Sequence, residues 1–241
     1  MNREPLGVMR WPVSGLIGLA LLTLAFTVVG ALVAFGGVLD GLSDNATLLA
    51  QMAILVLQYA LPIGLVAVLG GLRHVRFSEA VLLRRFNVGQ GIGLAVGVAV
   101  TARFFNSIYG IIVVLLGIDP SRVPDVTELF PDSAPGVLAL VVLTVVIAPL
   151  AEEIMFRGVL YPGLRDRFNP YAAGIVSSLV FAVFHGEPFV FVPIFMLGVM
   201  LAWITEMTRS IWPAILGHAV FNASAVAMLY VLRFLPSVPA S

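Results

Sequence analysis

Pro149-Leu150-Ala151-Glu152-Glu153-Ile154-Met155-Phe156-Arg157 is the stretch that decides how this chain reads, because two adjacent carboxylates and a guanidinium interrupt a segment otherwise suited to lipid. Ala134 through Ala151 is 18 residues without a charge, most of a membrane span. An ionised side chain at membrane depth costs about 2.5–3.5 kcal/mol on insertion scales, so two together need partners, protonation or a wet cavity. Glu152 and Glu153 are functional-site candidates on that ground, against the plainer reading that they mark a helix end at the interface.

Working outward, the chain has 241 residues, 60% hydrophobic and 11% charged, far more apolar surface than a soluble domain of this size can bury. The expected fold is all-α, a polytopic transmembrane bundle of 7–8 helices forming one domain over residues 1–241. Apolar runs recur near Trp11–Val38, Ala46–Gly71, Val88–Gly117, Ala134–Tyr161, Tyr171–Phe184, Phe189–Thr205 and Ile211–Leu232. The first is too long for a signal-peptide core and reads as a retained span. Acids and bases number 13 each, which leaves no nucleic-acid footprint. The absence of Cys excludes disulfides, thiolate catalysis and zinc–thiolate sites.

Loop charges alternate in sign. Arg3 and Arg10 precede the first span, Arg73, Arg76, Arg84 and Arg85 follow the second, and Arg165 and Arg167 follow the fourth. Asp40 and Asp44, then Asp119, Asp125, Glu128 and Asp132, occupy the alternate loops. The positive-inside rule puts the N-terminus and the arginine loops in the cytoplasm of a cell whose plasma (inner) membrane holds the protein. Ser78–Phe86, within a segment of about 77–87, mixes apolar and basic residues as a short interfacial helix would. Gly93 and Gly97 form a GxxxG that permits close helix packing.

At about 100° per residue Glu153 and Arg157 share a helix face and Glu152 points elsewhere. Arg157 can therefore neutralise Glu153, leaving Glu152 free for chemistry, with Pro149 bending the helix one turn earlier. Further polar residues fall in the apolar segments of the region 134–232: His185 before the breaker Gly186-Glu187-Pro188, and His218 with Asn222 at i,i+4. Counted along antiparallel helices, these groups meet roughly 12 Å below the cytoplasmic face if the Leu164–Arg167 end projects about two turns beyond the bilayer. The cavity then opens to the cytoplasm. The 186–188 break would lie inside the bilayer, which requires a re-entrant hairpin or local thinning. Arg103 and Asn106 are further polar positions in the third segment; Arg103 serves either a substrate carboxylate, an acid of the cavity or a structural anchor. His74, among arginines in a loop, reads as a surface residue.

A carboxylate, two imidazoles and an amide around one cavity suit hydrolysis. Glu152 can act as general base on a water that His185 holds, with His218 and Asn222 polarising a carbonyl. Alternatively Glu152, His185 and His218 ligate a divalent metal such as zinc. Glu152-Glu153-x-x-x-Arg157, Phe181-x-x-x-His185 and His218-x-x-x-Asn222, in this order, resemble the three motifs of the CPBP family of type II CAAX prenyl proteases and bacteriocin-processing enzymes. That resemblance implies an intramembrane endopeptidase acting on a membrane-associated or prenylated peptide, with Glu152 and His185 activating water and His218 and Asn222 binding the oxyanion. It favours no cofactor over a metal. A membrane scaffold and a proton-coupled transporter are the competing functions.

Overall fold

The structure is a computed structural model that describes residues 6–7, 9–119, 130 and 132–234. Arg3, Asp125 and Glu128 lie outside these. The chain is 79% helical over its described residues. Its helices are α1 (Val13–Phe35), α2 (Asp44–Leu72), α3 (Phe77–Ala80), α4 (Val88–Leu115), α5 (Ala134–Val141), α6 (Ala148–Glu153), α7 (Tyr161–Arg165), α8 (Pro170–Phe184), α9 (Phe191–Thr208) and α10 (Trp212–Phe234). π-Helical turns at Val142–Ile147 and Ile154–Leu160 splice α5, α6 and α7 into one continuous helix. Among the described residues six helices, counting that composite once, are long and apolar enough to cross a membrane. The protein is an integral, multi-pass membrane protein.

Residue choice explains the boundaries. Ser43, Asn87, Ser133 and Asn169 each cap a helix by accepting a backbone N–H with the side-chain oxygen. Outward positions on α1, α2 and α4 carry Leu, Ile, Val and Phe, as lipid requires. Inward positions are small where helices touch. A Cβ on Gly217 of α10 would lie 3.2 Å from the Ala95 carbonyl oxygen of α4, so these two backbones meet through the absent side chain. Gly93 and Gly97 do not serve this contact, since nothing lies within 4 Å of a Cβ at either.

α8 has 15 residues, a rise of about 22 Å, short of the roughly 30 Å hydrocarbon core. Its turn into α9 at residues 185–190 therefore falls at a depth a full span would pass through. The composite helix has 32 residues, about 48 Å, more than a span needs. α9 runs parallel to it: Arg157 meets Gly198 and Arg165 meets Glu206, the same spacing on both helices.

The segment after α2 differs from the expected interfacial helix. Only Phe77–Ala80 is helical, and Leu82 has φ of 59°, which ends the helix. Val81 and Leu82 are fully buried, inserted against the composite helix where a Cβ on Gly158 would come within 2.9 Å of the Val81 carbonyl oxygen. The Leu82 carbonyl accepts the Ile211 N–H and the Arg84 carbonyl accepts the Ser210 hydroxyl, so this plug lies across the start of α10. The N-terminal segment packs at the same end. Leu6 and Trp11 are buried, Arg84 donates to the Leu6 carbonyl, and Arg167 donates to the Trp11 carbonyl. The arginine-bearing segments thus gather at one end of the bundle.

Candidate functional site

The site forms where α2, the composite helix and α10 converge. Glu153 is completely buried. Its Oε1 accepts from Arg157 Nη1 at 2.9 Å and lies 2.9 Å from His218 Nδ1. Arg157 is equally buried; its Nη2 donates to the Gly198 carbonyl at 3.0 Å, and its guanidinium sits 4.3 Å from the centre of the Phe181 ring. A cation removed from lipid is thus matched by a carboxylate, a carbonyl and an aromatic face.

Against an ionised Glu153, which only accepts, His218 Nδ1 must be the protonated nitrogen. In the neutral imidazole this leaves the lone pair on Nε2. That atom lies 3.8 Å from Oε2 of Glu152, too far for a direct hydrogen bond and close enough for one water to reach both. Glu152 is held by its other oxygen: the Tyr59 hydroxyl of α2 donates to Oε1 at 2.8 Å. The two neighbouring glutamates therefore stand in different surroundings. Glu153 is locked in a buried ion pair, whereas the Glu152 side chain keeps 15% of its surface exposed.

Asn222, one turn beyond His218, donates from Nδ2 to the Thr144 carbonyl at 2.8 Å. The backbone explains why that carbonyl is available. In the π-helical turn the Ala148 N–H bonds back to Leu143, five residues away. The next donor in that register would be Pro149, which has no N–H. That register offers the Thr144 carbonyl no donor, and the amide of Asn222 supplies one. Pro149 thus acts through a π turn that opens a carbonyl, beyond the simple bend expected of it.

His185 makes no ion pair with either glutamate among the described residues. It follows the last turn of α8, is exposed, and hydrogen-bonds through Nδ1 to the Phe181 carbonyl at 2.8 Å. No hydrogen bond joins it to Glu152 among the described residues. Phe181 connects the two histidines: its ring packs edgewise on His185 at 4.7 Å and on His218 at 5.8 Å, centre to centre. Both imidazoles border one phenyl ring. Among the described residues no three His, Asp or Glu side chains are placed to hold a metal, so Glu152, His185 and His218 do not form a cage.

Arg103 receives a structural assignment. It donates to Ser224 Oγ at 3.0 Å and to the Phe221 carbonyl at 2.7 Å, and stacks 4.3 Å from the Phe221 ring centre, tying α4 to α10 beside Asn222. Glu187 caps its own turn by accepting the Phe189 N–H.

Residues 134–224 match the family model described as type II CAAX prenyl endopeptidase Rce1-like. That match covers less than half of the chain and supports the resemblance of this segment to CPBP-type proteases. Over 102 residues the chain is also 27% identical to a protein of Bacillus subtilis (strain 168) named "Putative membrane peptidase YdiL", a match covering 42% of either chain. No solved structure matches. The Rce1-like segment contains Glu152, Glu153, Arg157, His185, His218 and Asn222. Tyr59 lies outside it, and sequence reasoning missed it. A tyrosine within an apolar helix looks like any packing or interface aromatic, and only its partner on another helix separates it from those.

Proposed function

We propose that the protein is an intramembrane endopeptidase in which Glu152 activates a water for attack on a peptide carbonyl. The observation that carries this reading is the cluster in which one imidazole stands between two carboxylates inside apolar helices. Glu153 orients His218, and the free nitrogen of His218 faces Glu152 across 3.8 Å. A water beside this pair gives a proton to Glu152 and attacks the carbonyl carbon. The tetrahedral oxyanion is met by the second Asn222 Nδ2 hydrogen, the first being committed to Thr144, and by His218 Nε2 once Glu152 has passed that proton to it. Collapse of the intermediate passes the proton to the leaving amine. His185, with Nδ1 engaged by its own helix, offers Nε2 to the water or the peptide from the other side of Phe181. Because the described residues make no metal cage, no step is routed through a metal.

The substrate in this reading is a peptide presented at the membrane, of which a lipidated C-terminal peptide is one form. The family described for residues 134–224 and the printed name of the Bacillus relative support that class. The arginine-bearing end faces the cytoplasm of the plasma membrane, by the charge bias of its loops.

Purified protein in proteoliposomes, given a quenched fluorescent peptide ending in a farnesylated CaaX sequence and the same peptide without lipid, tests the reading. Cleavage is expected to fall at least about 100-fold in Glu152→Gln with the melting temperature unchanged, since general base catalysis contributes on that order. Exhaustive chelation should leave the rate intact. Cleavage by Glu152→Gln at the wild-type rate refutes the role of Glu152, and a chelation loss restored by zinc refutes the metal-free scheme.

A further inference from the structure

We propose that Tyr59 is a positioning residue for Glu152, fixing one carboxylate oxygen so that the other is presented to the water and to His218. The inference rests on the reading of Glu152 as the base. Tyr59 holds Oε1 at 2.8 Å, and the oxygen left over, Oε2, is the one 3.8 Å from His218 Nε2. Without the phenol, rotation about the last side-chain torsion exchanges the two oxygens freely, because that torsion is broad and roughly two-fold. The carboxylate can then swing onto His218 and close the gap in which a water reaches both groups. A tyrosine suits this task because it carries its hydroxyl on a rigid ring with only two torsions to order.

α2 is built to deliver that hydroxyl. Most of the helix faces lipid, with Val56, Leu57 and Leu61 exposed around Tyr59. The neighbouring Gln58 turns the other way and donates from Nε2 to Thr27 Oγ1 of α1 at 3.0 Å. Thr27 in turn donates to the Thr23 carbonyl. Pro62, inside the helix, has no N–H for the Gln58 carbonyl, which loosens α2 at this level. The Gln58–Thr27 bond fixes the helix to α1 there, while Tyr59 reaches α6. The site thus draws one member from the chain's N-terminal half, outside the Rce1-like segment.

The test uses the full-length protein in proteoliposomes with the farnesylated quenched peptide, comparing wild type, Tyr59→Phe and Gln58→Leu. Tyr59→Phe should lower kcat about 10- to 100-fold, the value of one hydrogen bond to a charged group, with KM within about twofold. Gln58→Leu, which slackens α2 but keeps the phenol, should lower kcat by clearly less than Tyr59→Phe does. An unchanged kcat in Tyr59→Phe overturns the proposal, as does an equal loss in Gln58→Leu, which would make the effect one of helix docking.

A second measurement reads the contact without turnover. In protein labelled with 13C at the glutamate side-chain carboxyl carbon, the carboxylate stretch should move between wild type and Tyr59→Phe, and that difference should vanish on the Glu152→Gln background. If the peptide is cleaved independently of Glu152, the base assignment fails while the infrared shift still supports the Tyr59–Glu152 contact. Absence of the shift overturns the contact whatever the activity.

Discussion

Replacing Glu153 by leucine strands a buried cation, and the energetic consequence can be worked from the contacts. The Arg157 and Glu153 side chains are 1% and 0% exposed. After Glu153→Leu, Arg157 keeps the Gly198 carbonyl and the Phe181 ring face but loses its carboxylate, and breaking a buried pair from one side costs about 3–5 kcal/mol. Arg157→Met strands the carboxylate instead. Its loss falls in the same range. The double variant strands neither charge. Its remaining defect is the His218 Nδ1 donor without an acceptor, about 1–3 kcal/mol. The double loss is therefore well below the sum of the singles, with a coupling energy of at least about 3 kcal/mol, the upper end for residues in contact. Reversible unfolding in mixed micelles by SDS titration, followed by circular dichroism, measures all four species. Additivity of the singles within about 0.5 kcal/mol would refute the buried-pair account.

Two further outcomes follow from backbone contacts. Gly158→Ala should destabilise the protein by about 1–3 kcal/mol in the same titration, because the new methyl meets the Val81 carbonyl oxygen at 2.9 Å and the Val81 Cβ at 3.0 Å; a stabilised variant, as alanine gives in an open helix, would show that the plug yields. Asn222→Leu removes the donor to Thr144 and should cost about 1–3 kcal/mol while lowering kcat, and wild-type turnover in that variant would remove Asn222 from the oxyanion site.

The helices were legible because lipid imposes a long apolar run on each span, and every expected run contains a helix, α8 being the short one. Glu152, Glu153, His218 and Asn222 stood out for the converse reason, that polar groups are rare at such depth. What could not be read are the contacts made by residues that look ordinary. Val81 and Leu82 have the composition of an interfacial face, yet a left-handed Leu82 turns them inward as a plug. Tyr59 sits 93 residues from Glu152, and no local pattern links them. Depth put His185 level with Glu152, but depth fixes height and not azimuth, and no hydrogen bond joins the two among the described residues. The His185 ring is drawn to its own Phe181 carbonyl.

The helical wheel put Glu153 and Arg157 on one face, where the structure joins them at 2.9 Å. It assumes a constant 100° per residue, while the composite helix contains two π-helical stretches, each ending two residues before a proline. A proline cannot donate to the preceding turn and crowds it, and widening that turn relieves the crowding. Pro149 and Pro162 therefore mark where the wheel slips, and the glutamate pair lies in the single α-helical stretch between the slips. The same device that shifts the wheel frees the Thr144 carbonyl to orient Asn222. A proline one turn before an intramembrane carboxylate is thus better read as a source of an open carbonyl, to be matched to an amide on another helix, than as a hinge.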